Sequence, residues 1–408
     1  MAFLFCPKAR AFNDESLESY LLRVVSENYF DSYQQLSFAI RGELLELDFE
    51  AHGGFPIELG RLNIYHAKHN SHFRMRALWL VESLLGLPKY ELQKISLFRS
   101  NRTFSQGVVS VQRNGIDIPL SFLRFPNIDN VESIPICPQC IDEEPYIRQI
   151  WHLKPYSVCA KHKCELVHNC ESCKSPINYI LNESITHCHC GFELSKSSNI
   201  QAEKADFLLA QILTHVDPES ANPCFNQSST THRLAALFWH EKFKGDSYSF
   251  GDAVEYFERW PVNFYQDLDV LTHAAELRLI DFFNRTSFSF IYGDLILNSR
   301  CIFPEDKDPH FIHSALLSYL NQLVEKHPKS KKANVADLLV SVAETAVILS
   351  TTHEQVYRLY QDGILIPSLK PKMRFRINPS VGVFYLRQVI EYKKSFGIDR
   401  EGMHLSAW

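Results

Sequence analysis

The chain has 408 residues, of which 45% are hydrophobic, 12% aromatic and 22% charged, with 15 glycines and 19 prolines. These fractions are typical of soluble globular proteins, so they exclude a collagen-like, disordered or membrane-embedded chain. No apolar stretch reaches the roughly 18 residues that a membrane helix needs, and the N-terminus lacks a charged leader followed by a long apolar segment. We therefore expect a cytoplasmic protein without membrane contact, built from about two to four compact units.

Charge is unevenly distributed along the chain. The net charge at pH 7 is −5. From Lys326 to Phe396 there are twelve Lys or Arg residues and five acids, a net charge of +7, which leaves −12 for the rest of the chain. A basic tail on an acidic body is typical of a protein that has one surface for nucleic acid.

Helices are predicted first in an N-terminal helical domain, residues 1–130. Apolar residues at helical spacing over 17–25 predict the first helix, with Asn13 or Asp14 as its cap. A second apolar stripe, a Gly-x-Pro turn and a short apolar helix predict a helix-turn-helix-like αα-hairpin over 72–97. Such a hairpin occurs in DNA-binding modules, but packing is its commoner role.

A small β-hairpin is predicted at the end of this domain. Valines over 108–111 precede Arg113-Asn114-Gly115, and alternating apolar residues follow over 116–120. Asn-Gly accepts positive φ at both central positions of a tight turn, so this pattern indicates two antiparallel strands.

Cysteine and histidine spacing between residues 131 and 200 is the strongest chemical signal. Cys-x-x-Cys pairs in an intracellular chain indicate metal binding rather than disulfides. Two sets of four donors match the tetrahedral coordination that Zn²⁺ prefers, and they leave no position open for water or substrate. We therefore predict tandem zinc-binding motifs with two structural ions. The predicted ligands are Cys137, Cys140, Cys159 and His162 for the first ion, and Cys170, Cys173, Cys188 and Cys190 for the second.

Neighbouring donors leave the exact ligand sets open. His187, His189 or Cys164 could replace a nearby ligand. A redox dithiol would need a Cys-x-x-Cys after a strand in a βαβ context, and the sequence lacks that pattern. The cysteines outside the predicted ligand sets are expected to be buried free thiols: Cys6, Cys164, Cys224 and Cys301.

Beyond the cysteines, residues 201–330 predict a helical middle domain, because apolar residues recur at helical spacing between prolines. A lysine-rich connector over 327–332 then precedes the C-terminal domain, residues 331–408. The whole pattern predicts a mainly α protein with one small β-hairpin in its N-terminal part.

The C-terminal domain has the pattern of a winged helix-turn-helix. Residues 341–350 and 351–363 predict two helices joined by a capped turn, the second ended by a glycine. Alternating apolar and basic residues over 373–377 predict a strand that serves as the wing. This layout can place its second helix in a DNA groove or contact a protein. The predicted contact residues are Thr352, His353, Tyr357, Arg358, Gln361, Arg374 and Arg376.

No enzyme motif stands out in the sequence. It lacks a Gly-x-x-x-x-Gly-Lys-Ser/Thr phosphate loop, a His-Glu-x-x-His helix and a Gly-x-Ser-x-Gly elbow. Each of these motifs supports a particular reaction class. We therefore expect no catalytic activity.

The motifs of the first 200 residues resemble those of the TniQ/TnsD family of transposon target-selection proteins. The resemblance rests on ligand pairs, a tryptophan and an N-terminal helix that occur in the family's order. They are Asp14-Glu-Ser-Leu-x-Ser-Tyr-Leu-Leu-Arg23, Cys137-Pro-x-Cys140, Trp151-His152, Cys159-x-x-His162, Leu166, Cys170-x-x-Cys173 and the cysteine pair at 188 and 190.

The resemblance implies a protein that chooses the target and recruits the transposition machinery through an AAA+ regulator, without cutting DNA. The short chain is most similar to the TniQ proteins of type I-F CRISPR-associated transposons, as in Vibrio. These resemble homodimeric adaptors on the Cascade complex, at the end that carries the crRNA-processing subunit and the adjacent backbone subunit. Base pairing between the guide RNA and the target DNA then supplies sequence specificity, so the protein contacts crRNA and target DNA mainly through Cascade.

Two other functions remain open from the sequence. The first is direct sequence-specific DNA binding, as a target selector or a transcription regulator, through the C-terminal helix-turn-helix. The second is an enzyme that uses zinc. The acidic body favours protein docking over DNA wrapping, so the adaptor is the leading hypothesis.

Overall fold

The computed structural model is dominated by helices, which confirms the predicted mainly α class. Two compact units make up the chain: Met1–Leu237 with Tyr248–Val254, and Phe238–Ser247 with Glu255–Trp408. Division into four domains at 130, 200 and 330 stays a prediction. None of the described helices is both long enough and apolar enough to cross a membrane. The residues described are 10–67, 71–124, 132–214, 223–245, 249–279, 282–303, 309–368 and 377–398.

The first unit has helices in its N-terminal and C-terminal parts, and strands and short turns between them. Its helices are α1 (Leu17–Glu27), α2 (Tyr33–Leu47), α3 (Phe49–Gly54), α4 (Ser71–Leu84), α5 (Glu91–Ile95), α6 (Pro138–Glu143), α7 (Tyr179–Asn182), α8 (Lys204–Thr214) and α9 (Pro223–Asn226). Helices α10 (Thr230–Lys244) and α11 (Phe250–Glu258) contribute residues to both units.

Helix α1 forms where its apolar spacing predicts, and Leu17 and Leu21 are completely buried. Its cap is Ser16, whose Oγ accepts a hydrogen bond from the backbone N–H of Ser19 at 3.2 Å. The predicted cap at Asn13 or Asp14 is therefore wrong. Asp14 lies two residues before the cap and accepts a hydrogen bond from the Tyr146 hydroxyl at 2.8 Å instead.

Helices α4 and α5 form the predicted αα-hairpin. Gly86 ends α4 with a φ of +67°, a conformation in which glycine carries no steric penalty. The buried carboxylate of Glu82 accepts hydrogen bonds from the backbone N–H groups of Tyr90 and Leu92, both at 2.8 Å. Glu82 therefore supplies acceptors to the unpaired N–H groups at the start of α5.

Strands β1 (Phe98–Phe104), β2 (Val108–Arg113) and β3 (Ile116–Pro119) pair antiparallel in the order β3–β2–β1. The predicted hairpin is confirmed, because β2 and β3 join through Asn114 and Gly115, both at positive φ. Strand β1 carries charged and polar residues at most positions, so its sequence gives no alternating apolar signal.

The second unit contains the C-terminal elements and only part of the predicted helical middle domain, since residues 201–237 belong to the first unit. Its helices are α12 (Val262–Leu279), α13 (Phe288–Tyr292), α14 (Leu295–Asn298), α15 (Phe311–Lys326), α16 (Val342–Leu349), α17 (His353–Gln361) and α18 (Leu386–Ile398). Aromatic rings fill much of its core: Trp239 stacks on Phe243 and Trp260 on Phe264, each with ring centroids 4.9 Å apart. Its short strands are β4 (Ile302–Phe303), β5 (Leu339–Ser341) and β6 (Gly382–Tyr385).

Strand β5 precedes the helix-turn-helix in the sequence and β6 follows it. The two strands pair antiparallel, with Val340 opposite Phe384. The sequence pattern did not predict β6. The predicted wing strand lies mostly outside the described residues, since 373–376 are not among them, and Ile377 is buried without belonging to a strand. The wing therefore stays a prediction.

Candidate metal centres and helix-turn-helix face

Four donor atoms from Cys137, Cys140, Cys159 and His162 lie within 4.8 Å of one another. The sulfurs of Cys140 and Cys159 are 3.6 Å apart. Nδ1 of His162 lies 3.3 Å from Cys137 Sγ and 3.2 Å from Cys140 Sγ. All three cysteines are buried and the histidine is half-buried. This first cluster thus points one imidazole nitrogen and three sulfurs at a common centre.

Two local structures produce the first cluster. Helix α6 begins directly after Cys137, with Pro138 at its first position, so Cys140 lies one turn into the helix. Cys159 starts a tight turn in which its N–H donates to the carbonyl of Cys164 and the N–H of Lys163 donates to Cys159, both at 2.8 Å. Lys163 adopts a φ of +56°, which closes the turn.

Glu143 contacts the first cluster from outside. It is the last residue of α6, and its Oε1 accepts a hydrogen bond from His162 Nε2 at 3.0 Å. Its other oxygen pairs with the ammonium of Lys161. Sequence reasoning missed Glu143, because the only signal is its position three residues after Cys140 on a short helix.

Cys164 lies beside the first cluster but outside its group of four. Its sulfur is 3.6 Å from Cys137 Sγ, and its side chain is buried. The alternative that Cys164 replaces a ligand therefore has a geometric basis. The hydrogen bond with Cys137, and then burial, raise the pKa of the Cys164 thiol, whereas bonds with Cys140 and Cys159 lower the pKa of Cys137.

The second cluster brings together Cys170, Cys173, Cys188 and Cys190, again with all donor atoms within 4.8 Å. Sulfur separations are 3.7 Å for Cys170 and Cys190, and 3.6 Å for Cys173 and Cys188. Hydrogen bonding by the Ser175 backbone lowers the pKa of Cys173 to about 6, which favours the thiolate that a metal binds. Cys190 is exposed, so this cluster lies closer to solvent than the first.

Tight turns again position the cysteines of the second cluster. The N–H of Cys170 donates to the carbonyl of Ser175 at 2.9 Å, with Lys174 at a φ of +60°. The N–H of Cys188 donates to Phe192 at 2.9 Å, with Gly191 at a φ of +86°. The turn at Cys170 therefore repeats the turn at Cys159, since in both a lysine at positive φ closes the turn, whereas the turn at Cys188 is one residue shorter and has a glycine there.

The alternative histidine ligands differ in their positions. Nδ1 of His189 lies 3.4 Å from Cys188 Sγ and its Nε2 lies 4.0 Å from Cys173 Sγ, so it borders the second cluster. His187 instead shares a hydrogen bond with Thr186 at 2.9 Å. Of the other described cysteines, Cys301 is buried as predicted, whereas Cys224 is half-buried, and neither forms a disulfide; Cys6 lies outside the described residues.

The donor sets suit a tetrahedral metal ion. Zn–S bonds of about 2.3 Å at tetrahedral angles place two sulfurs roughly 3.8 Å apart, close to the 3.6 Å between Cys140 and Cys159. A disulfide would need sulfurs about 2.0 Å apart. A site filled by four protein donors is typical of structural zinc and leaves no coordination position for a reacting molecule.

Buried polar side chains join α1 to the segment around the metal clusters. The Tyr179 hydroxyl lies 2.7 Å from Ser16 Oγ and 3.1 Å from His152 Nε2. Burial lowers the pKa of His152 well below its usual value, so the imidazole is neutral at pH 7. Sequence reasoning identified the Trp151-His152 pair only through the resemblance and did not anticipate these contacts.

Helices α16 and α17 form the predicted helix-turn-helix. Ser341 and Glu344 make reciprocal hydrogen bonds at the start of α16: the Ser341 N–H donates to the carboxylate at 2.7 Å, and the Glu344 N–H donates to Oγ at 3.1 Å. Val356 and Leu359 of α17 are buried. Beyond α17, Leu365 is completely buried, whereas Ile364 is 43% exposed.

The predicted contact residues of α17 are mostly accessible. Thr352 caps α17 by accepting from the Gln355 N–H at 3.3 Å, and His353, Arg358 and Gln361 are exposed. Tyr357 is half-buried, and its hydroxyl donates to the carbonyl of Ile377 at 2.5 Å. The two predicted wing contacts, Arg374 and Arg376, lie outside the described residues. Contact with a partner stays a prediction for all seven residues.

A comparison with curated proteins finds no match to this chain. The protein family TniQ does match part of it, over residues 7–166. That stretch covers α1, the αα-hairpin, the β-hairpin and all four donors of the first cluster, and it ends before the second cluster. The N-terminal 160-residue stretch is therefore the part of the chain that carries the TniQ pattern.

Proposed function

We propose that this protein is a non-catalytic adaptor that selects targets for DNA transposition. The observation that carries the proposal is the TniQ match over residues 7–166, together with a four-donor cluster inside it. A closed donor set stabilises a fold and offers no site for a reaction. Two structural zinc ions per chain are part of the proposal, because both clusters have the donors and spacing of tetrahedral sites.

The finer proposal is an adaptor of a type I-F CRISPR-associated transposon, acting in the cytoplasm. The protein would form a homodimer, dock on Cascade at the crRNA-processing subunit and the adjacent backbone subunit, and recruit the AAA+ regulator. Large exposed apolar side chains in the first unit support protein docking, since Phe38 is 54% and Phe49 is 76% exposed. The net charge of −12 outside the tail also disfavours wrapping by DNA.

Co-purification tests this proposal. We expect the tagged protein to co-purify with Cascade as a dimer when both are expressed together, and to retain the AAA+ regulator when target DNA is added. Mass measurement of the assembly gives the stoichiometry. Co-purification with Cascade is compared between a double Phe38→Ser, Phe49→Ser variant and Phe290→Ser, which changes an exposed aromatic residue of the second unit. Elution of the protein without Cascade under all conditions contradicts the finer proposal.

Direct DNA binding is the second candidate, and the exposed α17 residues favour it. Arg358 and His353 lie on the accessible face of a helix-turn-helix, the element that enters a major groove in many DNA-binding proteins. Tight, salt-sensitive binding of the purified chain to random duplex DNA would support this candidate. A triple substitution of Arg358, Arg374 and Arg376 by Ala separates the two functions. Loss of targeting with Cascade association intact favours direct binding.

A further inference from the structure

The contact between Glu143 and His162 determines which imidazole nitrogen faces the first cluster. A carboxylate only accepts hydrogen bonds, so Nε2 of His162 must carry the proton in the 3.0 Å contact. In a neutral imidazole the other nitrogen, Nδ1, then presents its lone pair. Nδ1 is the atom that lies 3.2 Å and 3.3 Å from the sulfurs of Cys140 and Cys137.

The orientation of His162 matters because a competing donor, Cys164, lies nearby. Cys164 Sγ is as close to Cys137 Sγ, at 3.6 Å, as Cys140 Sγ is to Cys159 Sγ. Thiolate binds Zn²⁺ at least as readily as imidazole does. The cluster therefore has five candidate donors for four positions, and the orientation of His162 affects which four are used.

We propose that Glu143 is a positioning residue that fixes His162 Nδ1 as the fourth ligand of the first metal site. This inference rests on the proposed metal site. Glu143 acts through His162 without touching the ion. Helix α6 carries both Cys140 and Glu143, so one short helix positions the ligand Cys140 and also the residue that orients the ligand His162. Hydrogen-bond partners of this kind typically change metal affinity by about 10- to 100-fold.

Lys161 holds the Glu143 carboxylate in this position. Its ammonium pairs with Oε2 while His162 occupies Oε1, so the two oxygens of one carboxylate serve two residues of the same turn. The neighbouring acid Asp142 is exposed and provides a matched control, because it has the same charge and lies on the same helix.

Metal retention tests the inference on the full chain loaded with Zn²⁺. A chelating dye is titrated against the wild type, Glu143→Leu, Glu143→Gln and Asp142→Leu, and the released zinc is measured. We expect Glu143→Leu to release one of two ions at about 10- to 100-fold lower dye concentration. Glu143→Gln keeps an acceptor oxygen and should be intermediate, while Asp142→Leu should match the wild type.

A double-mutant cycle shows whether Glu143 acts through His162. In a His162→Ala background, Glu143→Leu should have no further effect on zinc release, because the residue that it positions is gone. Cadmium NMR of the Cd²⁺-loaded protein gives a second readout: the resonance of the first site should change in Glu143→Leu and that of the second site should not. The inference is overturned if Glu143→Leu retains zinc as well as the wild type does. It is also overturned if Glu143→Leu increases zinc release equally in the wild-type and His162→Ala backgrounds. A wild-type protein that binds no Zn²⁺ overturns the proposed metal site itself.

Discussion

Ser16 Oγ and the Tyr179 hydroxyl lie 2.7 Å apart, which bonds the cap of α1 to a side chain 163 residues later in the sequence. Tyr179 is the first residue of α7, in the segment between the two halves of the second cluster. The same hydroxyl lies 3.1 Å from His152 Nε2. One buried tyrosine therefore connects the N-terminal helix to the cysteine-rich segment.

Removal of this hydroxyl should destabilise the first unit. We expect Tyr179→Phe to lower the free energy of unfolding by about 1–3 kcal/mol, because His152 Nε2 loses a partner in a buried site. Urea denaturation followed by circular dichroism measures the change. Tyr29→Phe is the control, since Tyr29 is 88% exposed and its substitution should leave stability unchanged. Equal stability of Tyr179→Phe and wild type would show that the contact contributes nothing.

Loss of one thiol should empty the second metal site alone. We expect Cys188→Ser to retain one zinc ion per chain where the wild type retains two, because a serine hydroxyl is a poor zinc ligand. Elemental analysis of the purified protein gives the stoichiometry. Cys224→Ser, which changes a half-buried cysteine outside both clusters, should retain both ions. Two ions in Cys188→Ser would mean that another donor, such as His189, completes the site.

The cap of α16 should contribute measurably to the stability of the second unit. Ser341→Ala removes the oxygen that accepts from the Glu344 N–H, and we expect a loss of about 1 kcal/mol in the free energy of unfolding. Urea denaturation measures it. Ser380→Ala, at an exposed turn position, provides the control. A loss of the same size in both variants would contradict a specific role for the cap.

Acid should destabilise the second unit through His313. Burial lowers the pKa of His313 to about 4 from its ordinary value of 6.5, so the unfolded chain takes up the proton first as the pH falls. The stabilising contribution of the neutral ring is thus complete above pH 6.5 and is lost as the pH falls towards 4. Its size is at most about 3 kcal/mol.

The variant His313→Gln tests this pH dependence, because glutamine does not titrate. We expect its free energy of unfolding to fall less than that of the wild type between pH 6.5 and pH 4. Urea denaturation at several pH values gives both curves. His273→Gln, at an exposed position of α12, should follow the wild-type curve. Parallel curves for His313→Gln and wild type would exclude His313 as the source of the acid sensitivity.

Local patterns were enough to predict several elements. The spacing of Leu17 and Leu21 predicts α1, and Asn114-Gly115 predicts a tight turn between strands, because each depends only on residues close in sequence. The cysteine pairs likewise indicated two groups of four donors, which the structure brings together. Whether these donors bind zinc stays a prediction.

Other features depend on residues that are distant in sequence. The strand β6 forms by pairing with β5 across the intervening helix-turn-helix, and its short sequence carries no period of its own. Glu143 reaches His162 only after α6 and the turn at Cys159 have been brought together. The cap at Ser16 was missed for a different reason. Asn13, Asp14 and Ser16 are all common capping residues, and capping propensity alone does not choose among them.

Antiparallel pairing of β5 with β6 limits where the chain can be shortened. Any C-terminal deletion that begins before Gly382 removes one strand of the ladder and takes from Val340 its partner Phe384. Unpaired strand edges promote self-association. Truncated versions of this protein should therefore keep the residues through α18 if the aim is a monodisperse sample, and affinity tags belong beyond that helix.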